Sequence, residues 1–276
     1  MSGRQRNWEA LSFQIAMTAI AVLALILIVS PSLVVVIVSF TSGFSLKFPP
    51  PGYSTRWYVE LWNAWQLQFA ARNSVVVAMW STALSIVLGV AAALAISRSK
   101  ALTAKLLDSL FMSPLVLPAL AFGLAALMFF SLIGLPISLL TLVIGHTIVC
   151  VPYVVRNTVA ALTQLEPTLL ESSAILGASR LYTFRRIVLP LAAPGLVATG
   201  IFAIIVTYNE FLFALVLTST PSAETMPVGA ATLIGRINTD WGAMSAAGVI
   251  GALPILLFSV LVQRHLVRGL TIGAVK

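Results

Sequence analysis

Charge is scarce in this chain: Asp, Glu, Lys and Arg make up 9% of 276 residues, against about a quarter in water-soluble domains. With 59% of the residues apolar, water is excluded as the solvent for most of the chain. Acid is scarcer than base, eight residues against sixteen, and the formal charge is +8. The basic residues are scattered over short loops and tails, which points to topology signals at membrane borders and away from a nucleic-acid surface. Cys150 is the one cysteine and stands in an apolar run. It offers neither a disulfide framework nor a cysteine-built metal site, and core packing is its expected role. His146 alone does not make a metal site either, since a transition metal needs several nitrogen, sulfur or carboxylate ligands. There is no GxxxxGK[ST] phosphate loop and no accessible serine-histidine-acid or paired-carboxylate set, so no catalytic, cofactor-binding or metal residues are expected.

What the chain has is long apolar runs. Six are long enough to span a hydrocarbon layer of about 30 Å as helices: residues 13–40, with Pro31 inside, then 69–97, 110–132, 138–161, 192–219 and 244–262. The first is preceded by Arg4 and Arg6 but lacks a small-residue cleavage pattern, so it reads as a retained helix. The division is a tail at 1–12, a membrane domain at 13–264 with an inner connecting segment at 163–190, and a tail at 265–276. If the N-terminus is inside, six crossings return the C-terminus inside. Arg4, Arg6, Arg98, Lys100, Lys105, Arg156, Arg180, Arg185, Arg186, Arg264, Arg268 and Lys276 then fall on or near the inner side. Only Lys47, Arg56, Arg72 and Arg236 fall toward the other, and this asymmetry favours the arrangement.

The connection after the first span holds Phe48-Pro49-Pro50-Pro51-Gly52-Tyr53, Trp57-Tyr58 and Trp62. Its aromatics suit an amphipathic segment anchored at the headgroup level, with an aromatic ligand platform as the alternative. The turn at Gly134-Leu135-Pro136 is too short to form a domain. The outer face therefore has little with which to capture a solute, and a separate receptor is implied.

The inner segment between the fourth and fifth spans predicts a short helix opened by Pro167 and carrying Thr168, Leu169, Leu170, Glu171, Ala174 and Ala178. Gly177 is expected to end it in a left-handed turn, and Ser179 to cap a second helix bearing Arg180, Arg185 and Arg186. Pro190 and Pro194 are expected to interrupt the approach to the fifth span. On physics alone this is either a protein contact or an amphipathic connector resting on headgroups. Glu171-Ser172-Ser173, Gly177, Ile187 and Leu189-Pro190 resemble the EAA signature of permease subunits in ATP-binding cassette importers, with serines in place of its two alanines.

That resemblance implies an all-α integral membrane protein of the type I importer (MetI-like) fold, six transmembrane helices with a coupling helix between the fourth and fifth. Glu171, Ser172, Ser173, Gly177, Leu189 and Pro190 would then couple to the cytoplasmic ATPase. The implied partners are a second permease, favouring a heterodimer, two ATPase subunits that hold ATP and Mg, an extracytoplasmic solute-binding protein and the lipid bilayer. The implied location is a bacterial inner membrane. Phe48-Pro49-Pro50, Arg56-Trp57-Tyr58, Asn73-Ser74, Gly89 through Ala93, His146 and Pro152 through Arg156 resemble spermidine and putrescine permeases. Tyr208 through Phe213, Met226-Pro227-Val228-Gly229 and Arg268 through Lys276 are more similar to carbohydrate-importer permeases.

Polar residues inside a span need a partner or a wet cavity, so Tyr208, Asn209, Glu210, His146 and Asn157 are either pathway-lining groups or helix-to-helix hydrogen bonds. A polyamine would seek carboxylates or aromatic faces, and Glu210 is the one acid deep in an expected span. A sugar would seek hydrogen-bonding and aromatic groups such as Tyr208, Asn209 and Trp241. A polyamine or related amine is placed ahead of a carbohydrate, and a membrane scaffold whose inner loop recruits a protein is the reading outside transport.

Overall fold

The computed structural model describes residues 2–97, 102–163, 165–218, 220–234 and 240–271. Arg98, Lys100, Arg236 and Lys276 lie outside the described residues, as do positions 272–276 of the C-terminal stretch. The described residues are helical nearly throughout, in the order α1 (Ser2–Ser39), α2 (Arg56–Asn63), α3 (Trp65–Ser97), α4 (Leu102–Met112), α5 (Ala119–Leu132), α6 (Leu139–Thr163), α7 (Pro167–Ile175), α8 (Arg180–Thr183), α9 (Leu189–Asn209), α10 (Leu212–Leu217), α11 (Met226–Ala231) and α12 (Trp241–Thr271). Five helices are long and apolar enough to cross a membrane, and one bent pair supplies material for a sixth crossing.

The chain divides into two packed units, Met1–Asn63 with Thr232–Ile250, and Ala64–Ala231 with Gly251–Lys276. In the first, the loop after α1 folds back on its own helix end. The Trp57 indole N–H donates to the Thr41 carbonyl at 2.8 Å, and the Ser39 and Tyr58 hydroxyls meet at 2.7 Å. Trp57 is 2% exposed, and a Cβ on Gly242 would overlap its ring. Trp57 is thus a packed core residue, not the interfacial anchor expected, because its indole N–H finds a carbonyl inside the protein. Tyr53 and Trp62 do stay open, at 71% and 78% exposure.

In the second unit, α3 and α6 lie side by side in the same direction. Ser81 Oγ donates to the Val143 carbonyl and Ser85 Oγ to that of Thr147, at the same separation of 62 residues. By that register Leu139, which opens α6, falls opposite Val77, roughly twenty residues or about 30 Å before the end of α3. The intervening chain must return that distance, which makes α4 and α5 together a crossing and not a re-entrant loop. The third span is nevertheless not the straight helix expected over 110–132: it is bent by 105°. A 3₁₀ turn at Ser113–Leu115 ends the first limb, and Pro118, at ψ 132°, opens the second. A proline has no amide to donate and its ring pushes the preceding residue out of the helical region, so the helix restarts at Ala119.

Two further expectations change. Neither Pro190 nor Pro194 interrupts the fifth span. From Arg180 to Asn209 the helix is continuous, because a π-turn at Phe184–Val188 widens it by one residue and the Leu189 N–H reaches the Phe184 carbonyl. This turn relieves the clash a proline ring makes with the carbonyl four residues back. The same span also stops early, at Asn209 instead of Ser219. Glu210 takes extended geometry at ψ 128°, and α10 follows as a separate short helix.

Asn73 and Ser74 clip the segment ahead of α11. Asn73 Nδ2 donates to the Ser222 and Glu224 carbonyls at 2.8 and 2.9 Å, and the Met226 N–H donates to Ser74 Oγ at 2.8 Å. Small residues set the closest helix approach: an added Cβ at Gly89 would lie 2.6 Å from Val154 Cβ and Cγ1. Gly89→Ala is therefore expected to cost about 1–3 kcal/mol by overpacking. It should lower the temperature at which the detergent-solubilised protein loses its size-exclusion peak, and Gly89→Ala combined with Val154→Ala should recover part of the loss.

Candidate functional site

The inner segment is built as its sequence requires. Pro167 occupies the first turn of α7, where a missing amide costs nothing. Gly177 has φ +79°, and its N–H donates to the Ala174 carbonyl while that of Ala178 donates to Ser173, both near 3 Å. These paired bonds close the helix end in a Schellman turn. Ser179 then caps α8, its Oγ accepting the Tyr182 N–H at 3.3 Å. Glu171 and Ser172 are exposed, whereas Ser173 is buried against Thr183.

Ser173, Gly177 and Ile187 come together around an open pocket of about 500 Å³, completed by Leu176, Ala178, Ser179 and Tyr182. Leu189 and Pro190 do not line it; they follow the π-turn at the head of α9. Ile175 and Leu176, at 85% and 86% exposure, form an open apolar tip that sequence reasoning passed over. Two branched apolar residues directly before a helix-ending glycine in a polar loop were the available signal.

A second cluster joins α6 to α9 and the break after it. His146 Nε2 stands 3.6 Å from Glu210 Oε2, Cys150 Sγ lies 3.5 Å from Thr207 Oγ1, and Asn157 Nδ2 donates to Thr199 Oγ1 at 2.9 Å. Positions rise along α6 as they fall along α9, so these are successive rungs between antiparallel helices. Sequence reasoning did not identify Thr199 or Thr207, which are common residue types with no spacing that marks them.

Glu210 has a second duty. Its Oε2 accepts the backbone N–H groups of Phe213 and Ala214 at 2.8 and 3.2 Å, covering two orphan donors of the first turn of α10. His146 Nδ1 is 2.9 Å from the Leu142 carbonyl, which can only accept, so that nitrogen carries a proton. Its Nε2 then faces the Glu210 carboxylate. Asn209 Nδ2 donates within its own helix to the Ile205 carbonyl at 3.0 Å and is otherwise exposed, while Tyr208 is buried. The five polar candidates thus separate. His146, Glu210 and Asn157 bind helix to helix, Tyr208 sits in the packing, and Asn209 is open.

Long apolar helices with outward-facing apolar surfaces, with a short helix between the fourth and fifth candidate spans, define a multi-span membrane protein. The chain belongs to the family of binding-protein-dependent transport system inner membrane components, whose profile matches residues 85–272. It is 32% identical over 272 residues to the trehalose/maltose transport system permease protein MalG of Thermococcus litoralis, covering 93% of this chain and 94% of that one. The spermidine/putrescine transport system permease protein PotC of Escherichia coli is 26% identical over 248 residues, covering 89% and 92%. In structure the chain is similar to a bacterial ABC transporter involved in import of the acidic polysaccharide alginate, with a TM-score of 0.76 over 96% of this chain and 98% of that one, at 16% identity.

Glu210→Ala removes the acceptor for two backbone donors and is expected to cost about 1–3 kcal/mol. Glu210→Gln keeps a carbonyl oxygen there and should retain most of that stability. Thermal melting of the detergent-solubilised protein, followed by tryptophan fluorescence, checks this; equal losses in the two variants would contradict the capping role.

Proposed function

We propose that this permease subunit serves an importer of a carbohydrate or closely related polyhydroxylated solute. The observation that carries this reading is the engagement of Glu210. Oε2 of the acid that an amine cation would seek already accepts two backbone N–H groups and faces His146, so part of its charge is engaged within the chain. An uncharged polyol needs no such counter-charge. The similarity to a trehalose/maltose permease over nearly the whole chain supports the same choice, and the weaker similarity to a spermidine/putrescine permease keeps an amine as the second reading.

The chain supplies one half of the path and a second permease the other. Two ATPase subunits hold ATP and Mg and carry out hydrolysis, and a solute-binding protein delivers the cargo. The termini face the cytoplasm, in keeping with the positions of the basic residues. In this orientation α7 lies on the ATPase side. Its charged Glu171 and the open tip at Ile175 and Leu176 form the contact, and Gly177 sets the turn that presents them.

Two experiments test the two halves of this reading. A binding screen of the cognate solute-binding protein against sugars and polyamines, followed by uptake in proteoliposomes, is expected to give sugar binding and uptake. Selective amine uptake would reverse the solute class and leave the architecture standing. For the contact, Glu171→Ala and Gly177→Val are made separately in the assembled complex. A β-branched residue at φ +79° is strained by about 1–2 kcal/mol, so α7 should be misdirected in the second variant. Both are expected to assemble, with receptor-stimulated ATPase activity and uptake falling severalfold; unchanged rates in both would remove α7 from the coupling path.

A further inference from the structure

One buried side chain ties α7 to α8. Among the described side chains of α7, Ser173 alone is buried, at 6% exposure. Its hydroxyl lies 2.6 Å from that of Thr183, the last residue of α8. The next residue begins the π-turn, and the helix then runs without a break to Asn209. Besides this pair, the link from α7 to α8 is the short turn through Gly177, Ala178 and Ser179, whose hydrogen bonds close each helix end but do not cross between the helices. The alanine of the signature that this segment resembles has no hydroxyl to place there. The serine at 173 is the departure that makes the cross-link possible.

We propose that the Ser173–Thr183 hydroxyl pair is a strut that fixes the angle of α7 against α8, so that a displacement of α7 is delivered to the π-turn and α9. Ser173 and Thr183 are then positioning residues for the coupling of ATP hydrolysis to transport. This rests on the reading of α7 as the ATPase contact. Each hydroxyl supplies one donor and can also accept, and Ser173 is itself buried at the bond. Without it the turn at Gly177 is free to act as a hinge, and motion at α7 is dissipated there.

The test uses the complete transporter in proteoliposomes and reads solute taken up per ATP hydrolysed. Ser173→Ala and Thr183→Val should each lower that ratio about threefold, with the same amount of ATPase co-purified. The double variant should fall no further than either single one, and Thr183→Ser, which keeps the hydroxyl, should stay at the wild-type ratio. An unchanged ratio in both single variants, or losses that multiply in the double variant, would overturn the strut while the wild-type complex still transports. A wild-type chain that recruits no ATPase would overturn the coupling reading and the strut with it.

Discussion

In hydrocarbon there is no water to satisfy a free backbone N–H or carbonyl, and each one left bare costs several kcal/mol. Three irregular points among the described residues answer to that constraint. At Pro190 the helix widens into a π-turn, so that the Leu189 N–H finds the Phe184 carbonyl. After Asn209 the backbone leaves the helix, and a carboxylate takes the place of the missing carbonyls for Phe213 and Ala214. At Pro118 the break falls on a residue that has no N–H to leave bare. The departures from regular helix are therefore local exchanges of hydrogen-bond partners, and each is made by a residue whose chemistry permits it.

The same constraint shapes how helices hold one another. Lipid tails are as apolar as leucine, so burying leucine between helices drives association weakly, and close packing with polar cross-links takes over. Between α3 and α6 this takes the form of serine hydroxyls donating to carbonyls of the neighbouring helix, with Gly89 allowing the Val154 side chain to approach. Between α6 and α9 it takes the form of the three rungs from His146–Glu210 to Asn157–Thr199. α6 is consequently cross-linked to α3 at Ser81 and Ser85 and to α9 at Thr207 and Thr199. By contrast α1 buries none of its apolar window within the chain, which suits a surface facing lipid or another subunit.

Much of this is legible in the residues because the signals are local. Apolar run length marks the crossings, and Pro167, Gly177 and Ser179 mark the ends of α7 and α8 through their own backbone chemistry. What was not legible depends on partners distant in sequence. Pro190 reads as a stop until the register shift ahead of it is seen, and Glu210 reads as a pathway or inter-helix group inside a span until its backbone partners three and four residues on are seen. Trp57 reads as an interfacial anchor because nothing in the sequence announces that Thr41 supplies its hydrogen-bond acceptor. The bend at Pro118 is the intermediate case: the proline is visible, but the angle depends on the parallel register of α3 and α6, which forces the chain to return between them.

These two kinds of bond divide the mechanics of the molecule. The helices cross-linked at several depths resist relative sliding, since moving one rung means breaking the others in step. In α7, by contrast, Ser173 alone is buried among the described side chains, and a left-handed glycine adjoins its end. A force applied at its exposed tip meets that attachment before it meets the packed helices. The first element beyond it is the π-turn, where the helix is already wider than its regular form and its hydrogen bonds are already shifted by one residue. On the proposed coupling, movement of α7 would reach α9 through the π-turn. Because Asn157 bonds α6 to Thr199 of α9, α6 would follow such a movement instead of separating from α9.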